Sequence, residues 1–272
     1  MKRLLLLGST GQLGSQLFGI LKNDYDLIPV NHSDLDFNKF YLIEDLILKK
    51  DPDIIINCMA MTDVDKCEEN KREAYNINGE SIKHIIRTLK ITESYFINIS
   101  TDYVFSGIKG NYNETDIAEP VNYYGLSKLI GDTYALSYDN SLIVRTSGVF
   151  LNKGFPLFVY NKLKNNEKVY AIPGFYSPIS ASYLAMAIKN IIPLNKTGIL
   201  NIAGERTSRL NMANRIAEIY NLNKNIEEKF IEMKAKRPYD SSLNINKAKK
   251  LIDFNFYDLD ENLKTINKNL FS

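Results

Sequence analysis

Cysteine is nearly absent from this chain. Cys58 and Cys67 are the only two in 272 residues, too few for a disulfide framework, so a reducing cytoplasm is the simplest setting. Net charge is equally scarce, since 34 basic minus 32 acidic residues gives +2. That balance excludes bulk electrostatic attraction to nucleic acid, and no nucleic-acid partner is expected. Long apolar runs are missing too. No stretch approaches the roughly 20 apolar residues that span a bilayer, so no membrane association is expected. The four leucines after Met1-Lys2-Arg3 stop at Gly8-Ser9-Thr10-Gly11, short of the about 7–15 residues of a signal-peptide core. Two histidines, His32 and His84, lie far apart and outside any zinc-type spacing. The expectation is a soluble cytoplasmic protein with no bound metal.

What is present is ordinary for a globular protein: 44% hydrophobic and 24% charged residues. The length allows one large core, or a main domain with a smaller one attached. The first half alternates short apolar runs with helical patterns, the signature of βαβ units and a parallel sheet. Strands are expected at Arg3–Leu7, Tyr25–Val30, Asp53–Asn57, Tyr95–Ser100 and Ser141–Thr146. Their near-continuous apolar runs suit strands covered on both faces. Helices are expected at Leu13–Lys22, Tyr41–Lys49, Glu69–Leu89 (with a break near Gly79) and Tyr123–Ser137. After about Phe150, glycine and proline punctuate shorter segments. A helix at Ser180–Asn190 and a strand at Ile199–Ala203 return to the main sheet. Leu210–Tyr220 and the polar tail read as pieces of a smaller lobe, with Asn221–Lys229 as a solvated loop or helix face. The fold class is therefore α/β, a doubly wound Rossmann-type parallel sheet with a discontinuous C-terminal lobe. Residues 1–150 and about 178–203 form the dinucleotide-binding domain. Residues about 151–177 and 204–272 form the substrate lobe.

Gly8-Ser9-Thr10-Gly11-Gln12-Leu13-Gly14 follows the first strand and opens a helix. In that setting one glycine permits a tight turn, one lets backbone approach a pyrophosphate, and one allows close helix–strand packing. The helix start then offers free N–H groups to phosphates. Gly8, Thr10, Gly11, Gln12, Leu13 and Gly14 thus become cofactor-binding candidates; the alternative is a plain structural turn. The residue ending the second strand selects the cofactor, because an acid there would repel a 2′-phosphate. Here Val30 is followed by Asn31, His32 and Ser33, three potential phosphate donors, with no acid before Asp34. NADPH is expected over NADH on this ground. Asp36 and Phe37 could meet the adenine, or Asp36 could cap the next helix. Asn57, Met59 and Ala60 end the third strand on the ligand-binding edge, beside the cofactor. Cys58 among them is expected to be a small filler rather than a nucleophile.

Tyr124 and Lys128 stand four residues apart, on one helix face. Reducing a ketone by hydride leaves an alkoxide that needs a proton, and a free tyrosine has a pKa of about 10. A cation some 4–5 Å from the phenolate, at an effective dielectric near 20, contributes on the order of 3–4 kcal/mol. That would lower the phenol by roughly 2–3 pKa units. The chain holds 17 tyrosines, so position, after the fourth strand and at a helix start, distinguishes this pair. Ser100 or Thr101, at the end of that strand, could polarise a carbonyl, or the cluster could simply stabilise a turn.

Together these segments resemble the dTDP-4-dehydrorhamnose reductase family of extended short-chain dehydrogenases. The matching pieces are Gly8–Gly14, Asn57–Glu68, Ser100–Gly107, Tyr123–Lys128, Arg145-Thr146-Ser147, Asn201–Gly204 and Arg237–Leu243, spread over nearly the whole chain. The resemblance implies Tyr124 as proton donor, Lys128 as its modulator and ribose ligand, and Thr101 as carbonyl partner. It implies Thr62, Val64, Asp102 and Tyr103 around the sugar. The implied substrate is a deoxythymidine-diphosphate-linked 4-keto-6-deoxy sugar, with Lys236 and Arg237 as cations for the diphosphate. It also implies that two copies can pair through helices as a homodimer. Two departures fall on the substrate side. Gly148 stands where the family follows Arg-Thr-Ser with tryptophan, and the chain has no tryptophan. The family's Asp-Gln-x-Gly-x-Pro-Thr stretch is reduced to Pro173–Ile179. Two other functions share such a fold: a non-catalytic NADP-binding regulatory subunit like that of methionine adenosyltransferase, and a nucleotide-sugar epimerase or dehydratase. The intact Thr101, Tyr124 and Lys128 set argues against the first. Asp102 without a following glutamate argues against a dehydratase.

Overall fold

Successive residues of the first apolar run point to opposite sides and find hydrophobic cover on both. Leu4 and Leu6 join one buried cluster, Leu5 and Leu7 a second. Only a strand sandwiched between helix layers buries four leucines in a row this way. The structure, a computed structural model, describes residues 1–34 and 39–266. Its strands are β1 (Arg3–Leu7), β2 (Asp26–Val30), β3 (Ile54–Asn57), β4 (Tyr95–Thr101), β5 (Ser141–Thr146), β6 (Val169–Ala171), β7 (Phe175–Tyr176), β8 (Gly198–Asn201), β9 (Thr207–Ser208) and β10 (Ile226–Glu228). Six of them form one parallel sheet in the order β2-β1-β3-β4-β5-β8. The order reverses between β1 and β3, which makes that crevice the topological switch point where such sheets bind ligands.

The helices include α1 (Gln12–Leu21), α2 (Phe40–Lys50), α3 (Val64–Glu69), α4 (Lys71–Tyr75), α5 (Ser81–Thr92), α6 (Tyr123–Leu136), α7 (Phe155–Lys164), α8 (Ala181–Ile191) and α9 (Arg209–Ile219). Leu13, Leu17 and Leu21 of α1 pack with Leu184 and Ile188 of α8 over one face of the sheet. Ile43 and Ile47 of α2 pack with Ile85 and Leu89 of α5 over the other. Near Gly79 the expected break is a wide, π-type turn over Asn76–Glu80, a distortion found mostly at functional sites. Its Asn78 is buried; its Nδ2 donates to the Met61 carbonyl at 3.0 Å and the Ser127 hydroxyl at 2.9 Å. The turn thus ties the loop after β3 to α6.

Past Phe150 a third cluster gathers Phe150, Val159, Val169, Met212, Ile216 and Leu263 from separated segments. The stretch expected to be a solvated loop or helix face, Asn221–Lys229, instead contains β10, paired parallel with β6. Ile226 packs against the third cluster while Glu227 and Glu228 stay exposed. Leu243, Ile252 and Phe256 rejoin the cluster under the main sheet. Among the described residues, no helix is long and apolar enough to cross a membrane.

Candidate active site

The site is built on the carboxyl edge of the sheet, beginning with the turn after β1. Gly8 N–H and Ser9 N–H donate to the Val30 carbonyl at 2.8 and 3.0 Å, locking the turn to the end of β2. Gly8 has φ +79°, and a Cβ there would lie 2.9 Å from the Cys58–Met59 peptide. A Cβ on Gly14 would lie 2.1 Å from the Gly8 carbonyl oxygen, so α1 can pack on the turn only with glycine there. Gly11 precedes α1 without capping it by a side chain, and the first turn of α1 has no acid. Its N–H groups are left for an anion. Gly11, Gln12 and Leu13 line a cavity of about 400 Å³. Thr10 is exposed beside them. Gln12 also clamps the cavity's far wall: its Nε2 donates to the Val149 carbonyl and its Oε1 accepts the Leu151 and Lys153 amides.

The other cofactor candidates separate. Asp36 and Phe37 lie outside the described residues. At the end of β2, Asn31 Oδ1 accepts from the Ser33 amide at 2.7 Å and its hydroxyl at 2.5 Å. Asp34 folds back to accept the Asn31 amide at 2.9 Å. An acid therefore does sit at the strand end, brought there by a turn rather than by sequence adjacency. His32 is exposed on that turn. Ala60 lines the cavity. Asn57 and Met59 do not: Asn57 Nδ2 donates to Asn98 Oδ1 at 2.9 Å, and Met59 is buried in the cluster on the α2–α5 face. Cys58 lines the cavity, but burial pushes its thiol up to about 12, against a lowering by Lys128. It stays a protonated filler.

Tyr124 and Lys128 lie in α6, whose start is set by Asn122 accepting the Gly125 amide at 2.8 Å. A Cβ on Gly125 would lie 2.0 Å from the Tyr103 carbonyl oxygen, so glycine lets α6 press against the end of β4. Thr101, Tyr124 and Lys128 consequently line the same cavity. The sequence expectation that Lys128 lowers the Tyr124 pKa does not describe the balance seen here. Burial raises the Tyr124 phenol, a Thr101 hydroxyl interaction opposes it, and Asp102, Cys67 and Tyr103 add to the rise. Lys128 is itself buried, its Nζ donating to the Ile99 carbonyl at 2.7 Å. Burial lowers its pKa, and Asp132 pulls it back up. A point-charge sum at uniform dielectric omits both desolvation costs.

Beneath this pair lies a buried polar network. Asp132 accepts Asn98 Nδ2 at 3.3 Å and the Ser100 hydroxyl at 2.7 Å, with Arg145 Nε 3.7 Å away as an ion pair beyond hydrogen-bond length. Ser100 and Thr101 both line the cavity, but the Ser100 hydroxyl donates inward to Asp132. Thr101 Oγ1 accepts the Tyr103 amide at 3.2 Å and donates to Asp102 Oδ1 at 3.1 Å. Asp102 also takes the Ser147 and Ser241 hydroxyls on Oδ2, at 2.7 and 2.6 Å. It lines the cavity, but its carboxylate joins β4, the end of β5 and the smaller lobe. Burial raises its pKa, and the three hydroxyls oppose that rise.

Thr62, Val64 and Tyr103 also line the cavity, as expected of residues around a sugar. Arg237 does not serve the role expected of it. Its Nη2 and Nη1 bond Asp65 at 2.9 and 3.2 Å, while Lys236 is exposed. A carboxylate 172 positions away claims the guanidinium, which no local pattern shows. Sequence reasoning did not name Thr146, Val149 and Lys153 as site residues, though they stand in the cavity wall with Gly148, the departure noted on the substrate side. The Arg145-Thr146-Ser147 motif was the available signal, since Thr146 pairs with Thr101 across β4 and β5.

The RmlD substrate binding domain model matches residues 1–271. The dTDP-4-dehydrorhamnose reductase of Aggregatibacter actinomycetemcomitans is 32% identical over 218 residues, covering 75% of this chain and 74% of that protein. A hypothetical dTDP-4-dehydrorhamnose reductase from Sulfolobus tokodaii superimposes with a TM-score of 0.94 at 50% identity, over 97% of this chain and 99% of that one. The Bacillus anthracis dTDP-4-dehydrorhamnose reductase, crystallised with NADP, follows at 0.91 and 26% identity, over 97% of both chains. With sequence, fold and cavity in agreement, the chain belongs to the RmlD substrate binding domain family.

Proposed function

We propose that this chain is an NADPH-dependent reductase acting on the C4 ketone of dTDP-4-dehydro-L-rhamnose, or a closely related 4-keto-6-deoxy nucleotide sugar, to give the corresponding alcohol. The observation that carries this reading is the convergence of Thr101, Tyr124 and Lys128 on the cavity that the glycine turn also lines. The turn suits a dinucleotide, because side chains at Gly8 and Gly14 would fill space that backbone needs and the start of α1 is left uncapped. Gly8, Gly11 and Gly14 with the α1 amides would hold the pyrophosphate. Asn31, His32 and Ser33 would face the 2′-phosphate with Asp34 folded back beside them, so the choice of NADPH is supported by the relative crystallised with NADP rather than by an acid-free strand end. Bound NADPH supplies the hydride for the ketone carbon.

The remaining chemistry belongs to this chain's side chains. The Tyr124 phenol, raised by burial, is protonated at neutral pH and can give its proton to the alkoxide oxygen. Thr101 Oγ1 would steady the carbonyl oxygen before transfer by turning its one proton from Asp102 to the ketone. Lys128, fixed by the Ile99 carbonyl, stands one turn along α6 and favours the phenolate left behind. Asp102 holds Thr101 in place by accepting its hydroxyl on a carboxylate that is itself braced by the Ser147 and Ser241 hydroxyls. The test is incubation with dTDP-4-dehydro-L-rhamnose while NADPH absorbance is followed, with NADH in a parallel series. Steady loss of absorbance with formation of dTDP-L-rhamnose is expected. Tight NADPH binding with no turnover would overturn the assignment, and a preference for NADH would overturn the reading of residues 31–33.

A further inference from the structure

With Arg237 held by Asp65, the diphosphate of the substrate needs another cation. We propose that Arg209 binds the diphosphate of the nucleotide sugar, an inference that rests on the nucleotide-sugar reading above.

The arginines of the smaller lobe divide cleanly. Arg206 bonds Asp240 through Nε and Nη2 at 3.0 and 2.7 Å. Arg215 is paired with Asp260 and Glu218, and Arg237 with Asp65. Among the described residues, no carboxylate lies within 4.0 Å of the Arg209 guanidinium, by contrast with those three. Aromatic groups hold it instead. Its guanidinium carbon sits 4.8 Å from the centre of the Tyr176 ring, and its charge acts on the Tyr103 phenol, opposing the rise in pKa that burial causes. Both contacts lead to the cavity. Tyr103 lines the cavity directly. The Tyr176 ring presses on Gly148, another lining residue, where a Cβ would lie 2.7 Å from Cε2.

A half-buried guanidinium set against one phenol ring and within electrostatic reach of another is partly dehydrated, yet has no carboxylate beside it among the described residues. That is a favourable state in which to meet an anion, because the cost of fixing the fork is already met by the protein. A diphosphate matches the planar, two-pronged donor set better than a single charge does. Arg209 is also the first residue of α9, an 11-residue helix whose positive end adds to the local potential. The cations in the cavity wall are less suited. Lys128 is held by the Ile99 carbonyl, and the Lys153 amide is held by Gln12 of the glycine turn, on the cofactor side.

The experiment is calorimetric titration of dTDP, and separately of thymidine, into the NADP-saturated protein. Arg209→Gln is expected to weaken dTDP at least tenfold and to leave thymidine within twofold. Arg209→Lys, which keeps the stem and charge but loses the fork, is expected to recover part of the dTDP affinity with an unchanged melting temperature. It also carries the test if Arg209→Gln melts early. Lys224→Gln, a surface cation of the same lobe, is expected to match wild type. In turnover, Arg209→Lys should raise KM with little change in kcat. Wild-type dTDP affinity in both Arg209 variants would overturn the proposal, as would a loss of NADP affinity in place of dTDP affinity. Failure of the wild type to reduce the 4-keto sugar, with dTDP binding still dependent on Arg209, would instead overturn the assigned reaction and leave the diphosphate site standing.

Discussion

Around the glycine turn, backbone meets backbone. A side chain at Gly14 would collide with the Gly8 carbonyl, and one at Gly125 with the Tyr103 carbonyl. Across the cavity, the smaller lobe is tied down by side chains of opposite charge. Arg237 reaches Asp65 of α3, Lys234 reaches Glu69 at the end of the same helix, and the Ala235 amide donates to Asp65 at 2.8 Å. Steric fit is unforgiving but indifferent to salt and pH, whereas partly exposed ion pairs are individually weak and sensitive to both. In the proposed reaction the dinucleotide brings the same pyrophosphate to every turnover, and a rigid cradle suits it. The ion pairs at Asp65 and Glu69 are the ties that salt and pH can loosen.

Substitutions test that contrast. The largest effect is expected where the two sides meet, at the phenol. Tyr124→Phe should lose about 10²–10⁴-fold in kcat, the usual contribution of a positioned acid, while NADPH affinity stays within twofold by fluorescence titration. Turnover at the wild-type rate would remove Tyr124 from the mechanism. Next comes the steric side. Gly14→Ala places a methyl 2.1 Å from the Gly8 oxygen, and such overpacking costs about 1–3 kcal/mol. NADPH affinity should fall about tenfold or more, equally at low and high salt. Salt-dependent loss would contradict a steric origin.

The smallest effect is expected on the electrostatic side. The Arg237 and Ala235 donors hold the Asp65 carboxyl below its usual range. A depressed folded-state pKa means that its stabilisation is present above the ordinary carboxylate range and disappears as pH falls through the folded value. Asp65→Asn should therefore lower the melting temperature at neutral pH by no more than the equivalent of about 1 kcal/mol, given its partial exposure. The gap from wild type should close on acidification and in 1 M salt. A gap that persists at low pH would mean that Asp65 acts through packing.

Much of the cofactor half was legible because its determinants are local. The expected strands Arg3–Leu7 and Ser141–Thr146 have those bounds in the structure, the three between them differ by one residue, and Ile199–Ala203 is Gly198–Asn201. Their near-continuous apolar runs come from double cover by helices, a condition that leaves few alternatives. The strand Ile226–Glu228 was missed, since it has one apolar residue and owes its existence to β6 beside it. The same division runs through the site. Tyr124 and Lys128 share one helix face, so spacing identified them. Asn57 and Met59 sit on the right edge of the sheet, yet their side chains turn inward, and edge position does not report orientation.

From the chain alone came the parallel α/β fold, the glycine turn that opens α1, and the Tyr124 and Lys128 pair on one face of α6, all written within short windows by periodicity and spacing. Tertiary structure decided the charges. It returned Asp34 to the end of β2, joined Asp65 to Arg237, raised the Tyr124 phenol by burial, and left Arg209 against the Tyr176 ring with no carboxylate beside it among the described residues. The reason is physical: steric and hydrophobic patterns are set by near neighbours in sequence, whereas the state of a charge depends on every group packed around it, however distant along the chain.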